Sequence, residues 1–595
     1  MDSKPLLLIV DCGNPSVIDY TIHAAKSNDR RIVVVTHPVI DEKIEEAHET
    51  CPIYDFNLEK YEELREDVQL EQVVVFLGEE YGKRTRKVMK TVSTIVQNTP
   101  PKSVAVVSSF RVHFDDPEAI KLEDAIRGHF AESSARLTVF RPGILLGKSS
   151  RAEREFRQLA PLYPLVSQRL RSTILEGDVL FQAIETELSQ PSTRRNRTFT
   201  LFGKNERWRD VLKRYRKPTW YHRYREGLAW IGGVLQFGQL AALIFQLFQW
   251  FSPRLRYWNF DTLTIKSERE LLELCNPYSD QFLKIVGYNN GVVHFGHQHP
   301  GKTVVSTIGC QRIEFVEENI VKLDNGVLLK QVIEALRPRG KEMFVIPNYS
   351  YVSMGTAFFV PIHGSAAEYT TVGETIEKVV LYDPEIDRIQ CVKRDSDIFR
   401  KHMYHQGSRV ILLRLYLRFK DKSQYFMERE TLTNPDSEKL MSVFHHPEAS
   451  NVEVRKSKAA SDDVELYTYF TADDANEDAM MEFPRDNIGK IWDKIEGNAV
   501  SAWLFHAFMK ALGYHTELFF TPEEFPHFWE THKSLPISKI QLRYVKKDGL
   551  PHSPFGESDR ISADVFMVKK HKETFEIYVS ENFENVAHNP GKHSN

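Results

Sequence analysis

Residues 345–366 read VIPNYSYVSMGTAFFVPIHGSA, and this stretch holds the pattern on which the fold assignment depends. Small and hydroxyl-bearing residues are concentrated at two places in it, 350–356 and 363–366, with apolar residues on either side. Glycine has no Cβ, so the backbone at Gly355 and Gly364 can approach a flat ligand closely. Each place taken alone is more typical of a tight connection inside an ordinary sheet. What the stretch indicates therefore depends on the segments before and after it.

A glycine-rich turn precedes this stretch, at the end of a predicted strand. Residues 284–291 read KIVGYNNG. Such a turn can offer backbone N–H groups to a pyrophosphate, although Gly and Asn also serve any tight turn. His294, His297 and His299 follow at close spacing, but no Cys or carboxylate nearby completes a metal-binding set. We therefore predict no metal site here.

Taken in order, these segments resemble the FAD-binding domain of the vanillyl-alcohol oxidase/PCMH flavoprotein superfamily. The resemblance spans 259–425 and includes 324–329, which leads into a predicted helix, and 395–407 near its end. It implies a PCMH-type domain that binds FAD non-covalently, because the first turn lacks the family's Gly-His-Ser sequence. The residues that it assigns to the cofactor are Gly287, Tyr288, Asn289, Asn290, Gly291, His294, Pro347, Ser353, Gly355, Thr356, His363, Gly364, Ser365 and Gly407.

The end of the chain resembles the sugar-alcohol and aldonolactone oxidase branch of that superfamily. The matching segments are 482–485, EFPR, and 589–593, NPGKH, although Pro590 stands where the family has Trp. The resemblance implies that Arg485 holds a polar substrate and that Lys592, with His593 beside it, orients or deprotonates its hydroxyl. The alternative remains open that Arg485 caps a helix and that Lys592 is solvated.

The first 200 residues alternate short apolar runs with charged helical segments. This alternation predicts a doubly wound parallel sheet, because apolar strands separated by helices form βαβ units. The predicted strands are Leu6–Val10, Arg31–Thr36, Gln72–Leu77, Ser103–Ser109 and Leu137–Leu146. The strand phase and the Arg-Pro-Gly at 141–143 resemble the atypical extended short-chain dehydrogenase/reductase and epimerase family.

Two departures argue against cofactor binding and catalysis in this Rossmann-like region. The first strand-to-helix turn keeps one glycine, Gly13, where the dinucleotide motif has three, and Asp11 would face phosphates with the wrong charge. The family's Tyr-x-x-x-Lys pair is also missing, since Pro117 stands four residues before Lys121. We expect a degenerate domain that does not bind NAD(P).

Residues 204–251 form a connector of unusual composition. Arginine and lysine alternate with Trp and Tyr over 204–226, and the next 25 residues, 227–251, carry no charge. This combination predicts contact with an anionic membrane surface on the cytoplasmic face. Glutamines along one helical face of 227–251 favour a helix in the interface over a lone span. The alternatives are a buried interdomain helix and nucleic-acid binding.

The overall composition is that of an ordinary globular chain of several domains. The 595 residues are 42% hydrophobic and carry a net charge of −4, which excludes a polytopic membrane protein and a global basic field for nucleic acid. Five scattered cysteines predict a reducing compartment. The polar residues 430–465 are expected to be loop-rich. The predicted domains are 1–203, 204–257, 258–425 and an α+β substrate-capping domain, 426–595.

Together these features predict a membrane-associated FAD-dependent oxidoreductase. Its expected substrate is a sugar alcohol, an aldonolactone or a related polyol, oxidised at a CH–OH group. One alternative is a flavin enzyme that acts on a lipid-linked sugar or a sterol. Another is a non-catalytic scaffold that retains two relic nucleotide domains. The sequence does not fix the oligomeric state.

Overall fold

The structure of the chain is a computed structural model. It describes residues 5–26, 30–35, 54–55, 70–78, 82–131, 133–161, 166–167, 170–189, 196–215, 244–245, 248–249, 252–260, 262–288, 299–366, 368–457, 461–471, 480–481 and 486–589. The chain divides into two compact units. The first consists of Met1–Leu263, Arg269–Lys284 and His299–Val304, and the second of Thr264–Glu268, Ile285–Gln298 and Val305–Asn595.

The first unit is built on a seven-stranded parallel sheet of order β3-β2-β1-β4-β5-β6-β9. Its strands are β1 Leu6–Cys12, β2 Arg31–Val35, β3 Tyr54–Asp55, β4 Leu70–Leu77, β5 Ser103–Val107, β6 Arg136–Pro142 and β9 Asn196–Leu201. The order reverses direction at β1, as in doubly wound nucleotide-binding sheets. This confirms the predicted α/β class and parallel sheet.

Helices cover both faces of this sheet because its strands are apolar throughout. Leu7 and Ile9 pack with the helices Ser16–Ala25 and Gly177–Ser189. Leu6 and Leu8 point the other way and pack with Lys83–Asn98 and Pro117–Phe130. Successive side chains of a strand point to opposite faces, so an uninterrupted apolar run supplies two cores.

The prediction of one strand over 137–146 is wrong at its centre. Gly143 separates β6 from β7, Ile144–Leu146, which joins a second sheet of order β10-β8-β7. A Cβ on Gly143 would lie 2.7 Å from Thr173 Cγ2, so only glycine allows the chain to pass there. The other strands of this sheet are β8 Arg171–Glu176 and β10 Lys204–Arg207, and the helices near it are Arg151–Leu159, Trp208–Arg214 and Pro253–Trp258.

Most of the predicted membrane-contacting segment 204–251 lies outside the described residues. Within its described part, Trp208 is held inside the first unit, because its indole N–H donates to Ser172 Oγ at 2.6 Å and to the Trp258 carbonyl at 2.9 Å. Among the helices that the structure describes, none is both long and apolar enough to cross a bilayer. Membrane association therefore stays a prediction.

The second unit contains two larger antiparallel sheets. The first has the order β14-β15-β19-β17-β18 and the second the order β24-β21-β23-β22-β26-β27-β25-β28. The first is formed by β14 Ile313–Glu317, β15 Ile320–Asp324, β17 Ile376–Asp383, β18 Arg388–Lys393 and β19 Ile411–Arg418. The second is formed by β21 Tyr425–Thr433, β22 Asn451–Lys456, β23 Asp463–Thr471, β24 Met480–Met481, β25 Gly513–Phe520, β26 Ile537–Val545, β27 Arg560–Val568 and β28 Ala587–His588.

Short elements complete this part of the chain. The remaining strands are β11 Thr262–Thr264, β12 Leu283–Val286, β13 Thr303–Ser306, β16 Lys341–Glu342 and β20 Lys420–Asp421. The remaining helices are Glu268–Leu274, Leu329–Leu336, Met354–Phe359, Asp397–His402, Ser437–Phe444, Asp486–Glu496, Ala499–Leu512, Phe525–Thr531 and Lys572–Asn582. The expectation of a loop-rich 430–465 is wrong, since the helix Ser437–Phe444 and the strand β22 lie within it.

A buried charge network stabilises the first unit. The Glu123 carboxylate accepts hydrogen bonds from Arg141 at 2.7 Å, Arg127 at 2.8 Å and Ser108 at 2.8 Å. Burial, the largest influence, raises the pKa of Glu123, but the two guanidinium groups outweigh it and lower that pKa to about 2. The carboxylate is therefore ionised wherever the protein is folded near neutral pH.

Substituting Glu123→Gln should lower the free energy of unfolding by about 3 kcal/mol at pH 7, because Arg127 and Arg141 lose a shared buried carboxylate and Arg141 keeps only Glu273, at 2.6 Å. The native pKa lies below the ordinary value of 4.5, so this stabilisation is complete above pH 4.5 and is lost as the pH falls toward 2. Denaturant unfolding of wild type and variant across this pH range measures the gap between their free energies of unfolding. Glu155→Gln, in an exposed pair with Arg151, is the control. A gap that does not narrow with acid contradicts the assignment.

Candidate functional site

Three segments that are distant in sequence meet in the second unit. The segment 350–355 runs beside 325–330: Leu329 N–H donates to the Val352 carbonyl at 2.9 Å and Met354 N–H to the Val327 carbonyl at 2.7 Å. Ser353 then begins the helix Met354–Phe359, because its hydroxyl accepts the Thr356 N–H at 3.1 Å. The third segment is Gly287, which directly follows β12 and contacts Ser353.

Gly287 touches the start of this helix so closely that no side chain fits. A Cβ on Gly287 would lie 2.0 Å from Ser353 Oγ and 3.0 Å from Thr356 Oγ1. The carbonyl of Gly287 accepts a hydrogen bond from Ser306 Oγ at 2.8 Å, which fixes the turn. The structure thus brings together Gly287, Ser353 and Thr356, which the sequence assigned to one ligand. We call these residues, with Asn325, Gly326 and Gly355, the glycine cradle.

Two further glycines bring backbone against backbone in the cradle. A Cβ on Gly326 would lie 1.8 Å from the Thr307 carbonyl oxygen, and one on Gly355 would lie 2.9 Å from that of Asn325. The Gly355 N–H donates to the same Asn325 carbonyl at 2.7 Å. The backbone packs this tightly only because these residues lack side chains.

The cradle and the loop beside it contain polar atoms that the described residues do not satisfy. Asn325 donates through Nδ2 to the Leu412 carbonyl at 2.6 Å, while its buried Oδ1 has no partner among the described residues. In the same part of the structure the hydroxyl of Ser350 is also buried and unpartnered. Buried polar groups are normally hydrogen-bonded, so these atoms mark a place where a polar ligand would be accommodated.

The other residues assigned to the cofactor occupy different surroundings. Pro347 is buried, Tyr288 is exposed at 39%, and Gly407 lies exposed beside His405. Gly364 donates its N–H to the Thr370 carbonyl at 3.0 Å. Asn289, Asn290, Gly291, His294, Arg485, Lys592 and His593 lie outside the described residues.

His363 belongs to a buried cluster centred on Glu517 of β25. Its Nε2 lies 2.7 Å from Glu517 Oε1, which also accepts a hydrogen bond from Ser562 Oγ at 2.6 Å. The second carboxylate oxygen accepts from Asn589 Nδ2 at 2.7 Å, and Asn589 N–H donates to the Glu517 carbonyl at 2.9 Å. The Glu517 carboxylate therefore links His363 to Asn589, which directly follows β28.

The same face of the eight-stranded sheet carries a row of buried polar side chains. Glu453 accepts from Arg455 at 2.6 Å, from Gln541 at 3.1 Å and from Ser365 Oγ at 3.3 Å. Its neighbours on this face are Arg543, Asp564, His515, Glu517 and Ser562. All of these side chains are buried. We call this set the polar face.

Charge pairing keeps Glu453 of the polar face ionised. Burial, the largest influence, raises the pKa of Glu453, but Arg455 and Arg543 outweigh it and lower that pKa. Asp564 contacts His515 Nε2 and lies 3.8 Å from Arg543. The Nε atoms of Arg455 and Arg543 and the Nδ1 of His515 are buried without a partner in the described structure. The face therefore still has donors to offer to an oxygen-rich ligand.

Sequence reasoning missed this face although its signal is visible. The strand β22 reads NVEVRK, so polar and apolar residues alternate over 451–455, whereas β25, GYHTELFF, has three polar residues in a row at 515–517 and does not show the pattern. The apolar members Val452, Val454 and Leu518 join the core beneath the helices. Strict alternation indicates a strand with two different faces, and here both faces are buried.

In the first unit, the backbone donors of the first strand-to-helix turn, which bind a phosphate in dinucleotide-binding domains, are occupied by the protein itself. Asp11 Oδ1 accepts the N–H groups of Gly13 at 2.7 Å and Asn14 at 2.9 Å. These backbone donors would otherwise be available to an anion. The absence of NAD(P) binding stays a prediction, and the position of Asp11 supports it.

The chain was compared with known protein families, curated proteins and solved structures. No protein-family model and no curated protein matches the chain. A crystal structure of cholesterol oxidase from B. sterolicum is similar with 11% sequence identity and a TM-score of 0.41, over 56% of this chain and 83% of that one.

Glu517→Leu should lower the free energy of unfolding by about 3 kcal/mol, because it leaves His363, Ser562 and Asn589 without their buried acceptor. Glu517→Gln keeps the shape and one carbonyl acceptor and should cost about half as much. Thermal unfolding measures both, and limited proteolysis should cut the Leu variant near its C-terminus. Equal stability of both variants and wild type would show that the cluster is not structural.

Proposed function

We propose that the chain is an FAD-dependent oxidoreductase that oxidises the CH–OH group of an alcohol. The observation that carries the proposal is the convergence of Gly287, Ser353, Gly355 and Thr356 beside the unsatisfied Asn325 oxygen. A pyrophosphate needs close backbone approach and small hydroxyl donors, and the cradle provides both. The residues present therefore fit FAD.

The glycine cradle would hold the cofactor's diphosphate, with Ser353 and Thr356 supplying hydroxyl groups. When bound, FAD would accept the hydride that leaves the carbinol carbon of the substrate. The protein has to orient the alcohol and remove its hydroxyl proton, so the products are a carbonyl compound and reduced flavin. The imidazole of His363 has a fixed orientation, because its Nε2 lies 2.7 Å from Glu517 Oε1.

The polar face is the proposed contact surface for the substrate. Arg455 and Arg543 each keep an unpartnered donor, and Gln541 lies between them on the sheet. Arginine presents several donors in a fixed plane, which suits neighbouring hydroxyl groups. We therefore propose a sugar alcohol or aldonolactone as substrate. Lys592 and His593, which follow Asn589 closely in the sequence, are the proposed groups that act on the hydroxyl proton.

A lipid-linked sugar or a sterol is the second candidate substrate. The uncharged segment 227–251 in the sequence favours it, since such a segment suits an enzyme that works at a membrane. Anaerobic bleaching of the flavin by polyols and lactones, compared with lipid-linked sugars and sterols, distinguishes the two. A purified protein that shows no flavin absorption would instead support the non-catalytic scaffold.

Gly287→Ala should reduce FAD affinity at least about tenfold, because the added methyl group displaces Ser353 from the cradle. Fluorescence titration of the flavin-free protein with FAD measures the change. Gly128→Ala is the matched control, since a Cβ there meets nothing within 4 Å. Unchanged affinity in Gly287→Ala, with normal thermal stability, would place the cofactor elsewhere.

Arg543→Lys should slow anaerobic flavin bleaching by a polyol about tenfold or more while the protein retains its flavin. Lysine keeps the charge beside Asp564 but loses the guanidinium plane. Stopped-flow absorbance measures the rate, and Arg429→Lys, in an exposed pair on the same sheet, is the control. Equal rates for both variants would remove the polar face from substrate binding.

A further inference from the structure

The second unit presents an exposed apolar helix face. The helix Ala499–Leu512 has Val500, Leu504, Phe508 and Leu512 at intervals of four residues, and each is between 55% and 66% exposed. Residues four apart lie on one side of a helix, so these side chains form a continuous stripe. Ile491 of the preceding helix, Asp486–Glu496, is 56% exposed. We call this pair of helices the helical hairpin.

The opposite side of the hairpin is firmly attached to the protein. Glu496 accepts hydrogen bonds from Tyr349 at 3.0 Å and lies 2.7 Å from the buried His506 Nε2. Asp493 accepts from the Tyr351 hydroxyl at 3.1 Å. The outward direction of the stripe is therefore a fixed feature of the fold. The hairpin is held against the same loop, 349–351, that leads into the glycine cradle.

Positive charge borders the stripe at one end. The last turn of the helix adjoins β27, since Gly513 pairs with Val568, and Lys569 and Lys570 follow Val568 at once. Val568 is 46% exposed, and both lysines are exposed. The sequence of the helix itself contains no carboxylate. An apolar stripe edged by lysines matches the boundary of an anionic bilayer, where apolar groups enter the acyl region and cations meet headgroups.

We propose that the helical hairpin docks on an anionic lipid surface through Val500, Leu504, Phe508 and Leu512, with Lys569 and Lys570 against the headgroups. Isolated apolar patches of this kind mark either membrane or protein contacts. This surface is formed by residues outside the segment 204–251, and the proposal does not depend on the proposed redox activity.

Flotation of the full chain with phosphatidylcholine vesicles, with and without phosphatidylserine, tests the proposal. Wild type should partition onto vesicles that contain phosphatidylserine. Leu504→Ser combined with Phe508→Ser should reduce that partition at least about tenfold. Lys569→Glu combined with Lys570→Glu should reduce it about fivefold or more per lysine. Ile386→Ser combined with Ile389→Ser, at exposed apolar residues elsewhere in the unit, is the control and should bind as wild type does.

Two results would overturn the proposal. Vesicle binding that both hairpin variants retain in full would assign the membrane contact to another part of the chain, such as 204–251. A change in oligomeric state of the Leu504/Phe508 variant in mass photometry, without a change in vesicle binding, would make the stripe a self-association surface. All substituted residues are exposed, so each variant should unfold at the same temperature as wild type. A normal unfolding temperature therefore distinguishes these outcomes from misfolding.

Discussion

Gly287 and Ser353 approach so closely that a Cβ on the glycine would lie 2.0 Å from the serine hydroxyl oxygen. This approach sets where the end of β12 meets the helix Met354–Phe359, and hence where the cradle is located. The constraint is one of space, because the Gly287 backbone lies directly against the Ser353 side chain. The large core around Val321, Leu329 and Phe358 holds the flanking elements rigid, so that this contact can form.

A second constraint acts through the Glu517 carboxylate. It joins the His-Gly segment to β25 and to Asn589, so three distant parts of the chain share one buried charge. Removing a buried carboxylate from its partners is costly, which makes this junction resistant to local opening. The neighbouring polar face then faces inward with its ion pairs already formed. In the proposed function, this preorganised face would orient a substrate that carries several hydroxyl groups.

The N-terminal sheet was predictable because its strands are apolar throughout and alternate with helices, a pattern that few other folds produce. The resemblance assigned Gly287 and Ser353 to one cofactor, and the two residues are in contact, although their role in cofactor binding stays a prediction. The buried strand β22 was not predicted, because charged residues such as Glu453 and Arg455 are typical of solvent-exposed segments. Their burial depends on cross-strand partners, such as Gln541, that are far away in sequence. The break at Gly143 depends likewise on Thr173, a contact that no local pattern contains.

A crystal structure of the purified protein after soaking with FAD tests the central claim most directly. The account predicts electron density for the diphosphate against the backbone of Gly287 and Gly355, with a hydrogen bond to Ser353 or Thr356. Density for FAD at the first unit's Asp11 turn would contradict the account, as would an empty cradle in crystals soaked with a large excess of FAD.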